Sequence, residues 1–336
     1  MSTVPLCSVA DWFEKVQNGS YAEKLKLLDL RPTPFNITEE ANMEKQFNPT
    51  NEDLGNCVAL EHVNTAVPDQ QIATLFYVAG LGLTRDPYIM VELTNMWINI
   101  GRNQIHMPTR PPYNSEVLRG HTAIVLPSRQ ALLMRLAAVK DRLAGTQFSV
   151  HEASGYVDVI SPWGNRIRCF EPDLERFGPI QIGMPYVEFD VPVGTADGIA
   201  RFYREAIKAP SSVEKDAQGA CARVQVGTKQ YLLFRETDRP LPEYDGHHIA
   251  IYISDFSGPH RWLKERGLIT LERGQYEWRF IDIVDPDTLK LLYRLEHEVR
   301  SVTNPLYARP LVNRNPDQTN ISYVPGYDAM KPELGH

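Results

Sequence analysis

The chain has 336 residues, of which 43% are hydrophobic, and a formal net charge of −7 at pH 7. A chain of this length buries a substantial core and is normally divided into two domains. Charges of both signs are interspersed, so there is no basic stripe for a phosphate backbone, and we expect no nucleic-acid partner. No apolar run has the length of a membrane span and the N-terminus has no signal-peptide pattern, which predicts a cytoplasmic protein without membrane contact.

The cysteine pattern predicts neither a disulfide nor a cysteine-bound metal site. They are scattered through the chain without a CxxC or another ligand spacing, at Cys7, Cys57, Cys169 and Cys221. We therefore expect neither disulfides nor a thiolate zinc site, and only a lone reactive thiol stays open.

Residues 1–56 are predicted to form an N-terminal helical extension. Ser8 and Asp11 resemble a capping box, and the stretch from Tyr21 to Leu30 has apolar residues at helical spacing. The following Arg31-Pro-Thr-Pro stretch ends that helix, because the residue before a proline is pushed out of the α region.

Four similar units follow the extension, and each opens with a β-like run. The reference positions in the four runs are His62, His121, Tyr186 and His248. They recur at intervals of roughly sixty residues, the kind of internal period that indicates a fold built by repetition. Three of the four carry an imidazole near the start of a strand, so the sequence places the chemistry where two modules meet.

Each unit is predicted to be a βαβββ module. In module one a strand is followed by a helix over 70–79 and by three strands, the last two forming a hairpin around Gly101. Module two repeats this order with a helix over 128–143. Residues 171–185, rich in Pro and Gly, are the predicted boundary. The expected fold is α+β, with four βαβββ modules paired into two curled half-barrel sheets: modules one and two over 57–175, modules three and four over 184–300, and an extended C-terminal arm over 301–336.

Several segments resemble the vicinal oxygen chelate superfamily, which includes glyoxalase I, bleomycin-resistance proteins and extradiol dioxygenases. They are EHVNTAVPD, LFYVAGLGL, GHTAIVLPS and SPWGNRIRCFEP, with GHHIAIYISD and VDPDTLKLLYRLE matching more loosely in the same order. The resemblance covers residues 57–300. It implies a glyoxalase/dioxygenase-like fold in which paired modules curl around a divalent metal, with ligands taken from the first and last strands of each module.

Carried over by position, the resemblance offers His62, His106 and His121 in the first two modules, with Arg168 where the family usually has glutamate. Neutral imidazoles suit Fe, Mn, Ni or Zn, whereas a guanidinium cannot bind a metal. Two hypotheses stay open. Glu171 supplies the missing oxygen ligand, or Arg168 holds a carboxylate or enolate of the substrate by a bidentate contact, with or without a metal.

The second pair of modules departs further from the family. Its corresponding positions are Tyr186, Leu232, His248 and Leu292. One imidazole is too few for a metal site unless Glu188, Asp190 or Glu296 completes it. Because the extradiol dioxygenases hold their metal in the second pair, this pattern argues against ordinary extradiol cleavage, and glyoxalase I is disfavoured because its glutamates are missing.

The sequence therefore predicts a vicinal-oxygen-chelate-type enzyme, a lyase, isomerase or dioxygenase, that acts on a small oxygen-bearing substrate. It would use one divalent metal in the first domain and no nucleotide cofactor, and a homodimer is the expected assembly. The predicted metal ligands are His62, His106, His121 and Glu171; the catalytic residues are His62, His121 and Arg168; the substrate-binding residues are Asn64, Trp97, Asn99 and Arg168. The alternatives are a non-catalytic binding or resistance-type protein with a metal-free pocket, and a scaffold whose sites are relics.

Overall fold

A computed structural model of the chain describes residues 48–86, 94–311 and 323–324. The chain forms two compact units, residues 1–53 and residues 54–336. The described part of the first unit is a short 3-10 turn, Pro49–Glu52, whose first backbone N–H groups are capped by the Asn48 side chain. The predicted helices of the N-terminal extension lie outside the described residues.

The second unit is built on two eight-stranded sheets, sheet A and sheet B. Sheet A has the strand order β14-β15-β16-β13-β1-β4-β3-β2, and sheet B has the order β10-β11-β12-β9-β5-β8-β7-β6. Sheet A contains β1 (Cys57–Asn64), β2 (Thr84–Arg85), β3 (Asn95–Ile100), β4 (Asn103–Pro108), β13 (His248–Ile253), β14 (Ile269–Arg273), β15 (Glu277–Val284) and β16 (Leu291–Ser301). Sheet B contains β5 (Gly120–Val125), β6 (Ser149–Ala153), β7 (Tyr156–Ile160), β8 (Arg166–Phe170), β9 (Gly183–Pro192), β10 (Ser211–Asp216), β11 (Gly219–Gly227) and β12 (Gln230–Thr237).

Short helices connect the first two strands of each module. The described helices are α1 (Gln70–Ala73, continued by a π-helix over Thr74–Gly80), α2 (Arg129–Val139, followed by a 3-10 turn over Asp141–Leu143), α3 (Leu174–Phe177), α4 (Ala196–Phe202, continued by a π-helix over Tyr203–Ile207) and α5 (Ser257–Lys264). Both helices predicted in modules one and two begin at an N-cap, at Asp69 for α1 and Ser128 for α2, whose side-chain oxygens accept backbone N–H groups. No helix in the described ranges is long and apolar enough to cross a membrane.

The expected architecture is confirmed, but the expected partnership of the modules is wrong. Strand β1 of module one pairs antiparallel with β13 of module four, and β5 of module two pairs antiparallel with β9 of module three. Module one therefore shares sheet A with module four, and modules two and three share sheet B. The segment around residue 180, predicted as a domain boundary, joins two modules of one sheet.

The two faces of each sheet differ in chemistry because side chains alternate along a strand. On β1 the alternation is interrupted by a register shift between Leu60 and His62, so Leu60 and Val63 both lie in a large apolar core that includes Phe76 and Tyr77 and draws on strands of both sheets. The other face of β1 carries His62, which is fully buried without belonging to that core. We call this side of sheet A, which also carries His106 and His248, the histidine face.

Candidate metal centre

Three histidines meet on the histidine face of sheet A. His62 lies on β1, His106 on β4 and His248 on β13, and one ring nitrogen from each falls within 4.8 Å of the others. The His62 ring centroid is 5.8 Å from those of both other histidines. Three imidazoles at this separation match the ligand number of open, catalytic divalent-metal sites.

Two of these imidazoles present a nitrogen that no protein group satisfies. Nε2 of His62 and Nε2 of His248 are buried, and neither has a hydrogen-bond partner among the described residues. A buried polar atom without a partner costs free energy, so such atoms in a native fold call for a ligand or another explanation. A metal ion bound by both nitrogens would remove that cost, so the residues present fit a divalent metal.

A carboxylate behind His62 fixes the orientation of its ring. Nδ1 of His62 lies 3.1 Å from Oε2 of Glu61, and Tyr252 donates its hydroxyl hydrogen to Oε1 of Glu61 at 2.9 Å. A carboxylate on one ring nitrogen leaves the lone pair on the other, as in carboxylate–histidine–metal arrangements. Burial lowers the pKa of His62 despite the Glu61 hydrogen bond, so the ring is neutral, as a metal ligand must be.

His106 differs from the other two because both of its ring nitrogens are occupied. Nδ1 accepts from Nδ2 of Asn64 at 2.6 Å, and Nε2 donates to Oδ1 of Asn95 at 2.7 Å. The ring also stacks on Trp97, with a centroid separation of 3.9 Å. Burial holds the pKa of His106 well below its ordinary value. His106 would bind a metal only by exchanging one of these hydrogen bonds.

Strand register identifies a fourth position in the same site. The residue two places after His62 faces His106 across β1 and β4, and the residue two places after His248 faces Glu298 across β13 and β16. Glu298 therefore corresponds to His106, which corrects the assignment of this position to Leu292. Oε2 of Glu298 lies 3.6 Å from Nε2 of His248.

Glu298 is held in the charged form by two arginines. It forms ion pairs with Arg279 and Arg300, and Arg300 also pairs with Glu61. Burial raises the pKa of Glu298, but the charge of Arg300 and the nearby His248 ring outweigh it and hold the pKa well below the ordinary value. The site thus has a buried carboxylate at its edge that is neutralised by the protein itself.

The corresponding positions of sheet B carry different chemistry. By the same register they are His121, Arg168, Tyr186 and Leu233, so the sequence assignment of Leu232 was one residue off. Nε2 of His121 lies 3.3 Å from the Tyr186 hydroxyl. Burial and then the charges of Arg168 and Arg166 lower the pKa of His121 to about 3.

The guanidinium of Arg168 already pairs with a carboxylate of the protein. Its Nε donates to Oδ1 of Asp158 at 3.1 Å, and its guanidinium lies over the Tyr156 ring at 4.4 Å. The neighbouring apolar cluster of sheet B includes Phe170, Tyr186 and, from α3, Phe177. The substrate anion predicted for Arg168 would have to displace this internal carboxylate.

The structure brings some of the predicted site residues together and separates others. His62, His106, Asn64 and Trp97 share the histidine face with Asn99, whose Oδ1 accepts from Nε2 of Gln104 at 2.7 Å.

The set predicted to bind the metal is corrected at two positions. His121 and Arg168 lie on sheet B, and Glu171, which follows the last residue of β8, is exposed and accepts the backbone N–H of Arg129 at the start of α2. His248 joins His62 and His106 instead. The catalytic roles assigned to His62, His121 and Arg168 stay predictions.

Comparison with known proteins rests on structure, since no protein-family model and no curated protein sequence matches the chain. A "putative dioxygenase" from Bacillus subtilis is similar, with 14% identity and a TM-score of 0.51 over 82% of this chain and 92% of that chain. Glyoxalase I from Zea mays is similar with 15% identity and a TM-score of 0.52, over 73% of this chain and 92% of its own. The chain has the same fold as these two proteins. In this fold, the histidine face lies where module one meets module four, and substrate and reaction have to be argued from its residues.

Proposed function

We propose that the chain is a metal-dependent enzyme of the vicinal oxygen chelate type, a lyase, isomerase or dioxygenase that acts on a small oxygen-bearing substrate. The metal is held by His62, His106 and His248. Two observations together carry the proposal: the buried Nε2 atoms of His62 and His248 have no hydrogen-bond partner among the described residues, and one ring nitrogen from each of the three histidines lies within 4.8 Å of the others.

The donor set agrees with this chemistry. Neutral imidazoles select Fe, Mn, Ni or Zn rather than Mg or Ca, and three protein ligands leave coordination positions for substrate oxygens. A divalent metal at this place would act as a Lewis acid on an oxygen of the substrate.

The chain supplies its own polar contacts for that substrate. Nε1 of Trp97 and Oδ1 of Asn64 are buried without hydrogen-bond partners in the described part of the chain, one as a donor and the other as an acceptor. The Trp97 ring meets His62 edge-on at a centroid distance of 4.8 Å and forms an apolar wall beside the three histidines. A small molecule with an oxygen acceptor and a hydroxyl donor fits these two unpaired atoms.

The test is the metal content of untagged protein purified without chelators. We expect near one equivalent of Fe, Mn, Ni or Zn in the wild type, and none in the His62→Ala/His248→Ala variant. His121→Ala is the matched control, because His121 is the corresponding imidazole of sheet B, and it should retain the metal. No metal in the wild type, even after incubation with each of the four ions, or equal loss in the control, would overturn the proposal.

A second candidate is a binding protein with a metal-free pocket. It is favoured by His106, whose two nitrogens already have partners, and by Glu298, which is neutralised by Arg279 and Arg300. Its signature is ligand binding that chelators leave unchanged, without consumption of the ligand. The cytoplasmic location and the homodimer expected from the sequence stay predictions.

A further inference from the structure

Two amide side chains join sheet A to sheet B close to His62. Nδ2 of Asn103 donates to the backbone carbonyl of Leu60 at 2.6 Å, and Oδ1 of Asn103 accepts the backbone N–H of Met184 at 2.8 Å. Oε1 of Gln230 accepts the N–H of Leu60 at 3.1 Å, and Nε2 of Gln230 donates to the carbonyl of Met184 at 3.1 Å. Four hydrogen bonds thus form a closed ring between the two sheets. We call Asn103 and Gln230 the amide clamp.

The clamp is reciprocal between the sheets. Asn103 is the first residue of β4, and Gln230 is the first residue of β12. These strands run parallel beside β1 and β9, which carry Leu60 and Met184. Each sheet therefore contributes one amide side chain and one backbone residue to the ring, and neither sheet forms it alone.

Leu60 lies at a β-bulge that decides where His62 points. The register of β1 against β13 shifts between Leu60 and His62, so Glu61 is the extra residue of the bulge. In a regular strand, residues 60 and 62 would lie on the same face. In this strand Leu60 lies in the apolar core, whereas His62 lies on the histidine face with its Nδ1 3.1 Å from Oε2 of Glu61. Bulges beside functional sites redirect side chains in this way.

The surroundings of the clamp are built to hold the bulge in one shape. Leu60 and Asn103 are both buried, and buried backbone polar groups need hydrogen-bond partners. The clamp bonds to both backbone polar groups of Leu60. A Cβ atom at Gly227 would lie 2.5 Å from Oε1 of Gln230 and 3.2 Å from the Cα of Ala59, so a glycine keeps the space that the amide needs.

We propose that the amide clamp positions His62. By fixing the bulge of β1, Asn103 and Gln230 hold the His62 ring against Glu61, so that Nε2 keeps the lone pair that would bind the metal. The proposal rests on the proposed function for the metal. The ring position itself is a property of the metal-free protein, and Gln230 influences it from sheet B.

The experiment compares two variants of the clamp with a matched control. Gln230→Met keeps the length of the side chain and removes its bonds to Leu60 and Met184. Asn103→Leu removes the bond to the Leu60 carbonyl. The control is Asn165→Leu, because Asn165 is also a buried amide with two backbone bonds, which it makes to residues 116 and 118 instead of β1.

The first readout is the tautomer of His62 in metal-free protein, measured by nitrogen–proton NMR of the imidazole rings and assigned with His62→Gln. In the wild type we expect the Nδ1–H tautomer, because Nδ1 lies against the Glu61 carboxylate. In both clamp variants we expect a mixture with the Nε2–H tautomer, since a neutral imidazole can carry its proton on either nitrogen when no acceptor selects one.

The control separates positioning from stability. Asn165→Leu should keep the wild-type tautomer even though it loses stability, which urea denaturation measures. An unchanged tautomer in the clamp variants would overturn the proposal, and so would an equal change in the control. Gln230→Met decides alone if Asn103→Leu fails to fold, because Gln230 is only half-buried.

Cobalt(II) titration, followed by visible absorption, lets the two proposals fail separately. We expect the clamp variants to bind cobalt about 10–100-fold more weakly than the wild type, the range for groups that orient a metal ligand. No cobalt binding by any of the proteins, with the expected change of tautomer, would contradict the proposed function alone. Equal cobalt affinity in all of them, with an unchanged tautomer, would contradict the clamp alone.

Discussion

Sheets A and B present two versions of one backbone arrangement. The same four register positions carry three imidazoles and a carboxylate in sheet A, whereas in sheet B they carry one imidazole, a guanidinium, a phenol and a leucine. Among the described residues, only the positions of sheet A therefore bring three imidazoles into one group that could hold a metal. The comparison teaches that this fold supplies the positions and that the side chains alone supply the chemistry.

The two sheets are also covered in different ways. Sheet B is filled by an apolar cluster that includes Phe177, from the connection between β8 and β9. Sheet A is covered by residues after β16: Leu306 and Tyr323 pack with Trp97, and Arg309 forms a buried ion pair with Asp86. The cover of sheet B is therefore an apolar cluster, whereas the described cover of sheet A combines apolar packing with a buried ion pair.

The largest expected effect is a loss of stability when the apolar cluster of sheet B is disrupted. Phe177 is 3% exposed and packs on Phe170 with a centroid distance of 5.1 Å. Phe177→Ala should lower the free energy of unfolding by about 3–5 kcal/mol, because it leaves a cavity in a buried cluster. Leu306→Ala should lower the free energy of unfolding clearly less, because Leu306 is only half-buried. Urea denaturation checks both, and equal losses would contradict the difference in covering.

A smaller effect, on metal affinity, is expected at Glu61, which contacts the proposed metal ligand His62. Glu61→Gln keeps the size of the side chain but weakens the contact that orients His62, so metal affinity should fall about 10–100-fold. Glu188→Gln is the matched control, because Glu188 lies 3.7 Å from Nδ1 of His121 in sheet B. Competition titration with a chromophoric chelator measures the affinities. An unchanged affinity in Glu61→Gln would show that His62 does not depend on its carboxylate.

Much of the fold could be predicted because its signals are local. Each module has its own run of strand, helix and strands, and the helices predicted over 70–79 and 128–143 lie where the structure has α1 and α2. The partnership of modules is a long-range property. Since all four modules open with the same pattern, nothing in the pattern tells β1 to pair with β13 rather than with β5, and His248 was therefore separated from His62.

The register of β16 explains the other errors at the site. This strand runs over Leu291–Ser301, and the site position assigned to Leu292, near its start, is filled by Glu298, near its end. The neighbouring His297 is 0% exposed and its Nε2 lies 2.6 Å from the Tyr203 hydroxyl, because alternate residues of β16 face the apolar core. A strand end that is misjudged by a few residues changes which side chains reach a site.

The smallest effect concerns His121, the one imidazole at the four register positions of sheet B. His121 is neutral in the fold because burial and then the charges of Arg168 and Arg166 lower its pKa to about 3, against the opposite effect of Asp158. An unfolded histidine binds a proton near pH 6.5. Between these values the unfolded chain binds more protons than the folded one, so stability is present above pH 6.5 and falls as the pH is lowered towards 3.

His121→Gln should flatten that acid loss of stability, since it removes a slope of at most about 1.4 kcal/mol per pH unit. The measurement is the free energy of unfolding in urea at half-unit steps between pH 7 and pH 4, compared with His151→Gln, whose side chain is exposed on β6 and should leave the slope as it is. A slope that stays the same in His121→Gln would mean that the arginines of sheet B do not exclude a proton from His121. In that case sheet B would tolerate a positive charge at the place where sheet A is proposed to hold a metal cation. The two sheets would then differ in metal binding only through the number of ligands that each one offers.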